Sequence, residues 1–439
     1  MRENTGVLSY YQPGAGAPGG SQRAIELVRE DDWQPPERQP WNSRARLAVA
    51  ALVLAAFSLV YVSGWAQPTG LLPTLAIAGK ADAIALDGGL AYVVRHGAVS
   101  AHRLSDGAVA WSRPMPGPAA TVLNLPSHRL LLSTLDGDER AALQVVDSIT
   151  GTVRWTSGSR LVGLAGDVVV VGGERNADGV RLAGLKEATG AILWEIVIPV
   201  WTIVARPSAQ RGSPTAQLTD QAELSVDGRL AIRDLETGRI RARAAMPTGV
   251  MPTSISIAGR VVVVATGAGI IHAYDVSTMR PIWKRPTPVA GYYSQFVVCG
   301  QDICHINDRG TVALDRETGR TMWQAPVRYH AMPVDDEHLF VSELFRQYAD
   351  SSGGVLDPAS GELIHELSPW TAFDVVDGND MLVWRRDGQR RIVVGLFDAH
   401  SGHTRVVGRT APYFGAPGCV TGGDFVLCAG DQEIVGWPA

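Results

Sequence analysis

The sequence predicts an all-β protein, a β-propeller of four-stranded blades preceded by one transmembrane helix. Three observations predict it. One turn pattern returns eight times, at intervals of 39 to 48 residues, which is the spacing of one four-stranded blade. Short alternating apolar runs of strand character lie between the turns. A single uncharged apolar stretch precedes all of them. At 439 residues the chain exceeds an ordinary compact domain, a length that repeat folds reach by adding units.

The apolar stretch comes first in chain order. No charged residue falls between Leu47 and Lys80, and Leu47–Trp65 reads LAVAALVLAAFSLVYVSGW. Nineteen residues at a rise of about 1.5 Å span roughly 28 Å, enough for a hydrocarbon core of about 30 Å. Tyr61 and Trp65 fall at its far end, where amphipathic rings favour the interface. Arg29, Arg38, Arg44 and Arg46 precede it and only Lys80 follows at a similar distance. That asymmetry predicts a plasma-membrane protein with its N-terminus in the cytoplasm and its C-terminal part outside. A cleaved signal peptide is the alternative, with Gly64 and Ala66 as the small residues of a cut site. The 46-residue leader and the length of the apolar run favour the anchor. No Cys follows the segment, which excludes a lipoprotein anchor.

Residues 1–45 form the predicted cytoplasmic tail. PGAGAPGG (Pro13–Gly20) and QPPERQP (Gln34–Pro40) cannot hold helix or strand, so disorder is expected. Residues 1–46 carry six Arg and six acidic residues, so the net charge of −5 lies in the remainder. No basic run is present, which argues against nucleic-acid binding. Residues 46–66 are assigned to the membrane helix, 67–80 to a linker or closing strand, and 81–439 to the propeller.

The repeated pattern is an apolar strand, Asp, two variable residues, Thr or Ser, Gly, three residues, then often Trp. Its copies begin at Ala101, Val145, Gly184, Ile232, Ala273, Ala313, Val355 and Leu396. The turn glycines are Gly107, Gly151, Gly190, Gly238, Gly319, Gly361 and Gly402, with Met279 standing in once. The Asp side chain can accept hydrogen bonds from N–H groups in the turn, and Thr or Ser can do so more weakly. Gly supplies the positive φ of a tight hairpin. Trp111, Trp155, Trp194, Trp283 and Trp323 can wedge between neighbouring blades and bury a large surface. Ala242, His365 and Val406 stand in the Trp position of the other three copies. Runs such as LAYVVR (Leu90–Arg95), GRVVVVAT (Gly259–Thr266) and NDMLVWR (Asn379–Arg385) read as middle strands.

This pattern resembles the tryptophan-docking motif, AxDxxTGxxxW, of the pyrroloquinoline-quinone (PQQ) type propeller family. The resemblance runs from about Ala81 to Ala439. It implies eight blades, the number the family favours. A ninth partial unit, Gly418–Trp437, and a strand at Leu72–Ala78 that could join the chain ends leave nine open. An irregular unit at Val200–Asp227 would allow seven or nine.

Cys299 and Cys304, and Cys419 and Cys428, form two local pairs whose spacing fits cross-strand partners around a hairpin. Two disulfides are expected outside the cytoplasm, with free buried thiols as the alternative. Quinoprotein alcohol dehydrogenases of this fold carry a disulfide between adjacent cysteines, and this chain has no adjacent pair.

The family's enzymes use PQQ with calcium, a catalytic Asp and carboxylate or amide calcium ligands. No catalytic, cofactor or metal residue can be mapped here. The acidic clusters Asp136–Glu139 and Asp374–Asp380 lie in glycine-bearing hairpin loops, and turn formation explains them better than calcium. His400 and His403 flank a hairpin in an HxxH pattern too weak to define a metal site. There is no phosphate loop, dinucleotide fingerprint, nucleophile elbow or zinc-protease motif. The expected function is a non-enzymatic protein-binding scaffold of the cell envelope, tied to the membrane by one helix. It is similar to the propeller component of the outer-membrane barrel-assembly machinery. A PQQ-dependent dehydrogenase and a ligand-sensing transmembrane protein are the alternatives.

Overall fold

In the computed structural model, the described residues are 73–439 apart from 116–118, 126–127, 136–140, 201, 206–217, 248–250, 287–293, 308–309, 326–328, 344–352, 377–379, 390 and 413–417. The predicted tail and the Leu47–Trp65 segment lie outside them. No helix among the described residues is long and apolar enough to cross a membrane.

The described residues form nine four-stranded antiparallel sheets. Eight are built from consecutive strands: blade 1 covers 83–114, blade 2 119–157, blade 3 160–198 and blade 4 203–245. Blade 5 covers 252–286, blade 6 294–325, blade 7 329–366 and blade 8 371–412. The ninth sheet takes three strands from the C-terminal end, Gly418–Gly422, Phe425–Ala429 and Glu433–Pro438. Its outer strand is Leu75–Ala78. That strand pairs Leu75 with Gly436 and Ala78 with Glu433.

The expectation of eight blades is therefore corrected to nine, for a physical reason. The docking motif occupies the hairpin between the third and fourth strands of a blade. In the ninth blade those two strands come from opposite ends of the chain, so no hairpin joins them and no motif can exist. Eight motifs thus mark nine blades.

Burial peaks in the second and third strands of a blade. Val261–Thr266, a second strand, is buried at every position, because both of its faces meet neighbouring sheets. Outer strands are the more exposed, with nearly every residue of Pro281–Pro286 and every second residue of Ile240–Ala245 open to solvent. The core consists of nine hydrophobic clusters, one at each junction between successive blades. The junction of blades 5 and 6, for example, packs Val263, Ile271 and Trp283 against Phe296, Ile303 and Val312. The junction of blades 9 and 1 packs Leu75, Ile77 and Leu427 against Leu86, Ala91 and Val93. A rigid ring results, because each sheet is buried on two faces by its neighbours.

Candidate functional site

Because neighbouring strands run antiparallel, the third-to-fourth hairpins of blades 1–8 and the described first-to-second turns lie on one face of the ring, called the turn face below. The acidic residues of the docking motif are bound into these turns. Asp275 Oδ1 accepts hydrogen bonds from the N–H groups of Ser277 and Thr278 and from both hydroxyls, at 2.6–3.1 Å. Asp315 accepts from Thr318 N–H and Oγ1 at 2.6 and 2.5 Å. Such bonds favour the charged form. The hydroxyls of Ser277 and Thr278 hold the Asp275 carboxyl at about 2, and Arg154 with the Thr150 N–H does the same for Asp147. These carboxylates are turn caps.

Each docking Trp donates its indole N–H to a backbone carbonyl in the next blade's turn. Trp111 reaches Ser148 at 2.9 Å, Trp155 Glu187 at 2.7 Å and Trp194 Glu236 at 3.1 Å. Trp283 reaches Arg316 at 2.9 Å and Trp323 Pro358 at 2.7 Å. Each ring lies on the next turn glycine, so a Cβ added at Gly319 would fall 2.5 Å from Trp283. In blade 7, His365 fills the role, with Nε2 against the His400 carbonyl at 3.2 Å and its ring over Gly402. Leu75 of the closing strand lies over Gly107. Trp437, fully buried in the ninth blade, packs backwards on Gly408 of blade 8.

Cys299 and Cys304 are bonded across the first two strands of blade 6, with Cα atoms 5.4 Å apart. Cys419 and Cys428 face each other directly in blade 9 and are bonded, with Cα atoms 4.1 Å apart. The second bond staples the sheet in which the two chain ends meet.

Of the acidic clusters, Asp136–Glu139 lies outside the described residues, as do 377–379. Asp380 is half-buried beside Asp398, and burial and that charge raise its carboxyl pKa. His400 turns towards another blade: its ring meets His338 edge-on, with centroids 5.7 Å apart. Among the described residues, no group of three or more His, Cys, Asp or Glu is placed to hold a metal ion.

The turn face carries a cleft of about 610 Å³ where blades 6, 7 and 8 meet. Asp302 reaches it from blade 6, Asp336, Glu337 and His338 from the first turn of blade 7, and Asp357 and Glu362 from its docking turn. Burial, and secondarily the Asp315 charge, raise the Asp302 carboxyl pKa. His338 is only 6% exposed. Its Nδ1 lies 2.9 and 2.8 Å from the two Asp335 oxygens. Leu363 and Ile364, 58% and 41% exposed, border the cleft on the outer strand of blade 7. Sequence reasoning missed this site because it joins turns from three repeats. The run Asp335–His338, DDEH, was the available signal, being dense in titratable groups.

The geometry defines a closed nine-bladed propeller with PQQ-type docking turns. The family model for outer membrane protein assembly factor BamB matches residues 33–285, more than half of the chain, and the chain belongs to that family. The match ends at the outer strand of blade 5, so the cleft lies beyond it. No curated protein sequence matches the chain significantly. Among solved structures, BamB from Moraxella catarrhalis is 17% identical, covers 84% of this chain and 100% of its own, and has a TM-score of 0.42. A eukaryotic initiation factor is 13% identical, covers 83% and 93%, and has a TM-score of 0.53. A quinohemoprotein alcohol dehydrogenase from Pseudomonas putida HK5 is 12% identical, covers 84% and 76%, and has a TM-score of 0.43. The likeness to the initiation factor is one of fold alone.

Proposed function

We propose that this chain is a non-enzymatic, protein-binding scaffold of the cell envelope, held at the membrane by Leu47–Trp65 with its propeller outside the cytoplasm. The observation that carries the reading is the family match over residues 33–285, to a family described as an outer-membrane protein assembly factor. The bound state of the turn carboxylates supports it, since the acidic residues that recur around the ring cap hairpins. A ring buried at nine junctions offers a preorganised surface, which lowers the ordering cost of association. The Arg excess before Leu47 supports the orientation.

Cross-linking of the full-length protein in its native membranes, followed by capture and mass spectrometry, tests the reading. One reproducible envelope protein is expected, with its yield reduced by substitutions on the propeller surface. Recovery of the chain alone would overturn it. A reporter active only outside the cytoplasm, fused after Ala439, checks the orientation.

A further inference from the structure

We propose that the cleft between blades 6, 7 and 8 binds a basic side chain, Arg or Lys, on an extended apolar segment of a partner protein. The proposal rests on the scaffold reading and names the chemistry of one partner contact.

The lining sets the sign of the ligand. Asp302, Asp336, Glu337, Asp357 and Glu362 line the cleft with no Lys or Arg among its lining residues, and of these the Asp357 carboxylate also caps its own turn through Ala359 N–H and Ser360 Oγ. Asp336, Glu337 and Glu362 take part in no ion pair among the described residues. Arg316 lies close enough to act on Asp302; the remaining like charges raise the local potential and favour a cation.

A second observation is independent of the carboxylates. His338 is 94% buried by its 6% exposure, yet it lines the cleft. Asp335 accepts the Nδ1–H and the main-chain N–H of His338, the latter at 2.7 Å. Asp335 thus occupies Nδ1, and Nε2 is left without a hydrogen-bond partner among the described residues. The cleft therefore presents a nitrogen of a buried ring, without a partner among the described residues, beside carboxylate acceptors. A guanidinium or ammonium group, which only donates, is the complement of such a wall.

The third observation sets the flanking chemistry. Leu363–Glu366 is the outer strand of blade 7, and its outward edge has no sheet neighbour among the described residues. Leu363 and Ile364 are exposed on it, next to the cleft. An extended segment passing that edge would lay apolar side chains on them, and strand addition is a recurrent mode of peptide capture. The aliphatic stem of Arg or Lys suits the same border.

Fluorescence anisotropy of a labelled peptide alternating Val and Arg, titrated with the full-length protein, tests this. Saturable binding is expected, with none for the same peptide carrying Glu in place of Arg. Asp336→Asn with Glu362→Gln is expected to weaken it about tenfold, since two of the five charges are removed without touching a turn cap. Glu195→Gln, on the outer strand of blade 3, should change nothing. Equal weakening by Glu195→Gln, or equal binding of the Glu peptide, would overturn the proposal. A photo-reactive copy of the Arg peptide needs no variant: label within 335–338 and 357–364 supports the site, and label elsewhere overturns it. Capture of an envelope partner together with absent peptide binding would leave the scaffold standing and remove the cleft. Peptide labelling at the cleft with no partner captured would do the reverse.

Discussion

The junction of blades 5 and 6 and the junction of blades 4 and 5 solve one packing problem in opposite ways. At the first, Trp283 covers Gly319. At the second, the same positions hold Ala242 and Met279. Both turns adopt the left-handed backbone, with φ of 65° at Gly319 and 55° at Met279. Left-handed backbone alone therefore does not demand glycine here. The neighbour's indole does, because any Cβ at Gly319 would fall within the ring. Where the neighbour is only Ala, a methionine fits beneath it and is 2% exposed. A left-handed non-glycine residue costs roughly 1–2 kcal/mol, and burying a side chain of this size returns about 1.5–3 kcal/mol, so methionine is the better filling at that junction.

Removing the ring is the strongest way to break this comparison. Trp283→Ala should destabilise the protein by about 3–5 kcal/mol, because it empties the junction and leaves the Arg316 carbonyl without its donor. The midpoint of urea unfolding measures it. A loss under about 1 kcal/mol would mean that the junction does not depend on the indole. Gly319→Met tests the same contact from below and should cost about 2–4 kcal/mol, combining backbone strain with overpacking.

Met279→Gly should be milder, about 1–2 kcal/mol, because the cavity it leaves is partly offset by relief at φ 55°. The informative variant is the exchange of both residues. Ala242→Trp alone drives an indole into Met279, whereas Ala242→Trp with Met279→Gly recreates the arrangement of the next junction. The double variant should be more stable than the sum of the singles by at least about 1 kcal/mol. Simple additivity would show that the two positions do not sense each other.

This pairing explains how much of the molecule could be read in advance. The docking residues repeat, so Trp111, Trp155, Trp194, Trp283 and Trp323 announced the blades. The substitution of Met279 for glycine was visible too, but its cause stands 37 residues earlier, at Ala242, and emerges only when the blades are laid side by side. The ninth blade was legible only as a partial unit at Gly418–Trp437 with a possible closing strand at Leu72–Ala78, because closure severs its motif, and the roles of Leu75 and Trp437 depend on that closure. The cleft was legible only in the run Asp335–His338, for a related reason: Asp302, His338 and His400 belong to three turns, and no local pattern relates them. The disulfides could be drawn from spacing, since Cys419 and Cys428 sit opposite each other across one hairpin.

Acid should sharpen the comparison by failing to distinguish the two junctions. The turn carrying Met279 is capped by Asp275 and the turn carrying Gly319 by Asp315, and hydrogen bonds lower both carboxyl pKa values. A depressed pKa contributes stability that is complete above the unfolded value and is lost as pH falls towards the folded one. For Asp275 that window runs from the ordinary 3.8 down to about 2. Its position near solvent limits the contribution to about 1 kcal/mol. Asp275→Asn should therefore lower stability near neutral pH and have little effect near pH 2, as unfolding midpoints across that range would show. Asp315→Asn should behave alike although its turn lies under a tryptophan. If acid weakened only the tryptophan-covered turn, the carboxylates would be acting through the indole contact and not through the hairpin.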